Sequence, residues 1–165
     1  MIIFLVGPPG VGKSTFAAMY TLNNPDITYC SIDQCREFYE DEKIAWKYLE
    51  EIVFSSKQDV LIETSGLNWR LSLIKDKCKE NSIPILTICL YGSEKLLHER
   101  LLGRQKQQNK KKFHYDEQEF LQYVFDHLSN LLIEADIKIN ISDMSKTQVY
   151  QELSIKLANI RKKYV

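Results

Sequence analysis

The segment Ile2-Ile3-Phe4-Leu5-Val6-Gly7-Pro8-Pro9-Gly10-Val11-Gly12-Lys13-Ser14-Thr15 sets the reading of the whole chain. Its first five residues are an unbroken apolar run, the pattern of a strand buried on both faces. Gly7 through Ser14 fit G-x-x-x-x-G-K-[ST] in full. From Lys13 to Leu22 the pattern is helical, and Asn23-Asn24-Pro25 stops it. A glycine loop between a buried strand and a helix turns backbone N–H groups inward around a phosphate. The helix N-terminus adds partial positive charge there. Lys13 reaches the β- and γ-phosphates, and Ser14 offers its hydroxyl to Mg²⁺. The segment therefore reads as a nucleoside-triphosphate site made by Gly7, Pro8, Pro9, Gly10, Val11, Gly12, Lys13, Ser14 and Thr15.

Outward from this loop the chain alternates strand and helix. Further strands are expected over 27–31, 60–63, 83–90 and 137–141. Helices are expected over 34–56 with a break near Asp41, from an Asn68 cap to 81, and from a Ser93 cap to 103. Two more are expected over 116–135, where Asp116 and Glu119 resemble a capping box, and after Ser145, whose box partner is Gln148. Residues 104–115 are polar and basic and read as a mobile loop. Strands spaced by helices imply an α/β architecture of three layers. The expected fold is that of a P-loop NTPase, a five-stranded parallel sheet with helices on both faces and an arginine-bearing lid at about 100–116. Ligands of such sheets bind at the carboxyl ends of the strands, so the loops after Val6, Ser31, Glu63 and Leu90 should carry the chemistry.

The 165 residues show no repeat and no Pro/Gly/Ser-rich linker, so 1–165 is read as one domain. Lys and Arg number 22 and Asp and Glu number 22, which gives no global attraction to nucleic acid or to an anionic membrane. No apolar run approaches the ~18–20 residues of a membrane span. The apolar N-terminal stretch is too short for a signal peptide and has no basic flank. Cys30, Cys35, Cys78 and Cys89 lack metal-ligand spacing and read as free thiols, so a cytoplasmic location is expected.

Three kinds of P-loop protein compete. A GTPase needs Asn-Lys-x-Asp, and Asn109-Lys110-Lys111-Lys112 lacks the aspartate. A motor-type ATPase needs a strand ending in Asp-Glu, whereas the third strand here ends Val60-Leu61-Ile62-Glu63-Thr64. A small phosphotransferase needs an acid to take the acceptor's proton, an anchor for the acceptor and arginines over the moving phosphoryl group. Asp33, just after the second strand, is the expected base, although a helix cap would also explain it. Arg36, three residues on, lies on the same helical face and would grip an acceptor anion bidentately. A surface pair with Glu37 or Glu40 is the alternative. Glu63 would hold a Mg²⁺-bound water. Ser65 and Asn68 would touch the acceptor, or serve as turn and cap, and Trp69 and Arg70 fit an ordinary helix face equally well. Arg100 and Arg104 are spaced to point one way and would neutralise charge on the transferring phosphates. Residues 104–112 hold five basic residues and no acid and would close as a lid. The expected catalytic set is thus Asp33, Lys13, Arg100 and Arg104.

With these residues in place, the chain resembles the 5′-hydroxyl kinase domain of phage and bacterial polynucleotide kinases. These belong to a wider group of P-loop kinases that includes gluconate, shikimate and chloramphenicol kinases. The resemblance runs from Met1 to about Phe125. Ser31-Ile32-Asp33-Gln34-Cys35-Arg36 resembles the family's base-plus-arginine motif, which implies Asp33 as general base and Arg36 on the acceptor's 3′-phosphate. Glu63-Thr64-Ser65-Gly66-Leu67-Asn68 is similar to the family's Asp-Thr-Asn-Leu-Asn turn, with Glu for Asp and one extra residue. Arg100 and Arg104 resemble the lid arginines that hold the donor phosphates. Between residues 37 and 51 there are six acids and two bases, opposite to what a phosphate backbone attracts. The expectation is an ATP- and Mg²⁺-dependent phosphotransferase acting on the 5′-hydroxyl of a polynucleotide or nucleotide, with no membrane partner. A kinase of a small metabolite or antibiotic, and a nucleotide-binding switch with no acceptor, are the alternatives.

Overall fold

The computed structural model of the protein describes residues 1–107 and 116–162. The five apolar stretches form β1 (Ile2–Val6), β2 (Ile27–Ser31), β3 (Asp59–Glu63), β4 (Ile85–Tyr91) and β5 (Ile137–Asn140). All pair in parallel, in the order β2-β3-β1-β4-β5. The unbroken apolar run of β1 thus occupies the centre, with every residue buried. Its side chains alternate between two cores. Ile3 and Leu5 join one, and Ile2, Phe4 and Val6 join the other. The two cores are the two faces of the sheet, so the expected three layers are present.

Eight helices are described: α1 (Lys13–Asn23), α2 (Ile32–Phe38), α3 (Glu42–Ser55), α4 (Trp69–Glu80), α5 (Glu94–Gln107), α6 (Glu117–Asp126), α7 (Leu128–Glu134) and α8 (Lys146–Arg161). Phe16, Leu97 and Leu153 carry α1, α5 and α8 onto the first face. Ala45, Leu49, Leu71 and Leu131 carry α3, α4 and α7 onto the second. The chain therefore leaves β1 and the adjacent β3 toward opposite faces. That divergence opens a crevice at their carboxyl ends, where parallel sheets bind ligands. Register pairs Glu63 with both Leu5 and Ser31, so the ends of β1, β2 and β3 lie side by side.

Polar caps set the helix starts. Asp41 accepts from the backbone N–H of Lys43, Asn68 from Arg70 and Asp116 from Gln118. Ser145 and Gln148 cap each other reciprocally. Three boundaries differ from expectation. The 34–56 segment breaks before Asp41 as expected, but α2 begins at Ile32, so Asp33 lies in its first turn and is not its cap; Ser31 is. The helix expected to stop at 103 runs on to Gln107, so Arg104 is helical and not in a loop. The 116–135 segment breaks at His127 into two helices. Each difference is one turn or less, where side-chain packing outweighs local propensity. The expected lid residues 108–115 lie outside the described residues. Among the described residues, no helix is long and apolar enough to cross a membrane.

Candidate active site

The loop after β1 turns through Gly7, Gly10 and Gly12, all with positive φ. Gly7 is the strictest requirement, because a Cβ there would sit 2.1 Å from the Leu90 carbonyl oxygen. The loop can therefore lie close against the end of β4 only without a side chain. The helix then opens at Lys13, whose ammonium folds back and donates to the carbonyls of Gly7 (2.8 Å) and Pro8 (3.0 Å). Burial lowers its pKa, and Glu63 and Asp33 partly oppose that shift.

Ser14, one residue on, donates its hydroxyl to Oε1 of Glu63 at 2.7 Å. The other carboxylate oxygen of Glu63 accepts from the Tyr29 hydroxyl. The carboxylate is 7% exposed and held from both sides. A hydroxyl beside an anchored carboxylate is a hard oxygen pair of the kind that suits Mg²⁺, which takes one or two protein ligands and completes its shell with phosphates and water. Among the described residues, no three Asp, Glu, His or Cys side chains form a cage of their own. The residues present thus fit Mg²⁺ delivered with a nucleotide.

Across the crevice, Asp33 projects from the first turn of α2 with its side chain 54% exposed. One oxygen accepts from Nη1 of Arg36 at 2.9 Å. The rest of the Arg36 fork is taken up by Glu42. Nε and Nη2 donate to the two oxygens of Glu42 at 2.8 and 2.7 Å. Glu42 also accepts from Trp46 Nε1 at 2.8 Å. Arg36 does pair with acids, but its partner is Glu42, not Glu37 or Glu40. The turn at residues 39–41 folds the start of α3 back over the end of α2, and that brings Glu42 to the guanidinium. The bidentate face expected to meet an acceptor anion is already occupied. Glu42 holds the Arg36 pKa above the ordinary arginine value, and Arg36 in turn lowers that of Glu42.

Arg100 donates to the Gly10 carbonyl at 3.4 Å, so it stands directly over the phosphate loop. Arg104, one turn on, pairs with Glu117, which is 5% exposed at the start of α6. The two arginines share a helix face but not a partner.

These elements surround a cleft of about 440 Å³. Its wall brings together Lys13, Ser14, Asp33, Arg36, Glu63, Arg100 and Arg104, with Gly7, Pro9, Gly10, Gly12 and Thr15 of the loop. Pro8 contributes a carbonyl to Lys13, and Val11 is a core residue, 2% exposed. Asn68 does not line this cleft. Its side chain accepts from the backbone N–H of Arg70 and caps α4. Ser65 does line it. A second recess of about 280 Å³ lies on the far side of the loop, between Gly12, Thr15, Met19, Arg100, Ile141 and Met144. Sequence reading missed Tyr29, Glu42 and Glu117. Alternation along β2 places Tyr29 on the same face as Ser31, a usable signal. Nothing local marks Glu42 or Glu117, because their partners come from other elements.

No family model and no curated protein matches the chain. Solved structures do. A gluconokinase from Sinorhizobium meliloti 1021 superposes with TM-score 0.69 at 19% identity, over 98% of this chain and 94% of that one. A shikimate kinase from Acinetobacter baumannii, solved in complex with shikimate, gives 0.64 at 19% identity, over 96% and 93%. A tunicamycin resistance protein from Deinococcus radiodurans gives 0.62 at 18% identity, over 94% of each chain. The chain therefore has the P-loop kinase fold of the gluconokinase and the shikimate kinase: five parallel strands between helical layers, with a phosphate loop after the central strand.

Proposed function

We propose that this protein is an ATP-dependent phosphotransferase that moves the γ-phosphoryl group to a hydroxyl of a small acceptor. The observation that carries this reading is one cleft whose wall joins the phosphate loop, the Ser14–Glu63 pair and Asp33. The loop N–H groups and Lys13 bind the β- and γ-phosphates, and Lys13 exchanges its loop carbonyls for phosphate oxygens. Ser14 would hold Mg²⁺ directly and Glu63 through a water, and the bound ion would neutralise charge on the two terminal phosphates. The recess beside Met19 and Met144 accepts the nucleobase of the donor. Asp33 faces the loop across the cleft and takes the proton of the attacking hydroxyl, while Arg36 holds the carboxylate in place. Arg100 spreads over the phosphates as charge develops on them.

The acceptor side favours a small molecule without an anion next to the reacting hydroxyl, because Glu42 and Asp33 already share the Arg36 guanidinium. A 5′-hydroxyl end of a nucleotide or polynucleotide is the second reading. The motif at residues 31–36 supports it, and it requires Arg36 to leave Glu42. ADP release over an acceptor panel of polyols, sugar acids, nucleosides and short oligonucleotides tests both readings. A slow basal rate that rises at least tenfold with one acceptor class supports phosphotransfer. ATP binding with no acceptor-dependent rise in any class would return the protein to the nucleotide-switch reading.

A further inference from the structure

All four cysteines are buried free thiols, and two of them meet. Cys30, near the end of β2, and Cys35, in α2, have their sulfurs 3.5 Å apart. This is the one sulfur–sulfur contact among the described residues. The four residues between them, Ser31 to Gln34, all line the cleft, and they include Asp33. We propose that Cys30 and Cys35 are a peroxide-oxidisable dithiol, a modification site whose closure to a disulfide displaces Asp33 from the cleft.

Three observations support reaction at this pair and not at the other thiols. First, Cys30 and Cys35 are 5% and 4% exposed, whereas Cys78 and Cys89 are at 0%. Second, α2 has only seven residues, its cap Ser31 makes no side-chain bond to it, and Phe38 at its end is 85% exposed. A helix of only two turns with an exposed end opens at low cost, which admits a small oxidant. Third, the Cys30–Cys35 contact, in which either thiol can donate, together with Arg36 nearby holds the Cys35 pKa below the ordinary thiol value. Burial raises Cys78 and pushes Cys89 up to about 11. Cys35 is therefore the nucleophile and Cys30 the resolving thiol.

The chemistry closes on itself. The Cys35 thiolate attacks one oxygen of hydrogen peroxide or an alkyl hydroperoxide, and the O–O bond breaks. A sulfenic acid forms, and the leaving hydroxide or alkoxide takes a proton. The Cys30 sulfur then attacks the Cys35 sulfur, the S–O bond breaks, and the Cys30 proton leaves with the hydroxide as water. Two thiols lose two electrons, and the peroxide is reduced to two waters, or to an alcohol and a water. An S–S bond of about 2.05 Å requires the sulfurs to approach by roughly 1.5 Å. That movement draws the first turns of α2 toward β2 and carries Asp33 with them. A shift of about 1 Å at a reacting group costs about 10²-fold in rate.

The test uses the full chain. Trypsin cuts after Lys13 and Arg36 and nowhere between, so both thiols fall in one peptide, residues 14–36. After hydrogen peroxide treatment, quenching, unfolding in iodoacetamide and digestion, this peptide should be two hydrogens lighter and unlabelled. Cys78 and Cys89 should be labelled, and dithiothreitol should reverse the change. A doubly labelled 14–36 peptide, or earlier oxidation of Cys78 or Cys89, would overturn the proposal. The effect on activity rests on the phosphotransferase reading. Oxidised protein should bind ATP as before and form ADP about 10²-fold more slowly, and Cys35→Ser or Cys35→Ala should keep its rate through the same treatment. A disulfide that leaves the rate unchanged would overturn the displacement of Asp33. Protein that forms no ADP before oxidation would overturn the phosphotransferase reading, and the peptide mass would still decide the bond.

Discussion

Replacing Glu42 with Gln should turn Arg36 from a residue that holds Asp33 into one that binds anions. Arg36 now spends Nε and Nη2 on Glu42, at 2.8 and 2.7 Å, and Nη1 on Asp33 at 2.9 Å. Charge-assisted pairing of this kind is worth about 1.5–3 kcal/mol when shielded. The Arg36 and Glu42 side chains are 28% and 43% exposed, so solvent reduces the value here to about 1 kcal/mol. Glu42→Gln keeps the acceptor for Trp46 and removes the charge. The fold should lose about 1 kcal/mol and survive. The released fork should then hold a ligand phosphate with about 1.4 kcal/mol of new affinity, which is tenfold. Calorimetric titration with uridine and uridine 3′-monophosphate reads this without turnover. The wild-type protein should show no preference for the phosphorylated ligand. Glu42→Gln should favour it by about tenfold, and Arg36→Ala on that background should erase the gain. A wild-type preference of tenfold or more that Arg36→Ala removes would refute the reasoning and restore the acceptor-phosphate role of Arg36.

Three further outcomes follow from the site. Burial lowers the Lys13 pKa in the free protein, and bound phosphates favour its charged form. Nucleotide affinity should therefore hold at neutral pH and fall as pH rises through that lowered value, below the 10.5 of an ordinary lysine, and Lys13→Ala should abolish both the affinity trend and transfer. Tyr29→Phe removes one of the two donors to the Glu63 carboxylate, worth about 1–2 kcal/mol, so direct Mn²⁺ binding to the nucleotide complex, followed by electron paramagnetic resonance, should weaken about tenfold. Arg104→Ala strands the buried Glu117 carboxylate and should lower the melting temperature by about 4–8 °C, the equivalent of about 2 kcal/mol, while Arg100→Ala should leave melting unchanged and lower turnover more than ATP binding.

The acidic stretch at residues 37–51 has a structural meaning that its net charge alone hides. Asp41 caps α3, Glu42 holds Arg36, and Glu50 pairs with Lys77 of α4. Three of its six acids thus serve helix starts and packing between α2, α3 and α4.

The amino-acid sequence by itself determined the strands, the phosphate loop and the layering. Those depend on local patterns: an apolar run, a glycine spacing, a capping residue three positions from its partner. Such patterns read correctly because the backbone interactions they specify lie within a few residues. The sequence also brought Lys13, Ser14, Asp33, Glu63 and Arg100 to one end of the sheet, since each follows or adjoins a strand whose carboxyl end faces the crevice. It could not say which charges would already be spent. Arg36 meets Glu42 only because a turn doubles α3 back over α2. Arg104 meets Glu117 across thirteen positions, and Tyr29 reaches Glu63 across a strand pair. Asn68 is directed to its helix and not to the cleft. Side-chain partners at a site are chosen by distances of a few ångströms between elements, and only the packed tertiary structure fixes those distances.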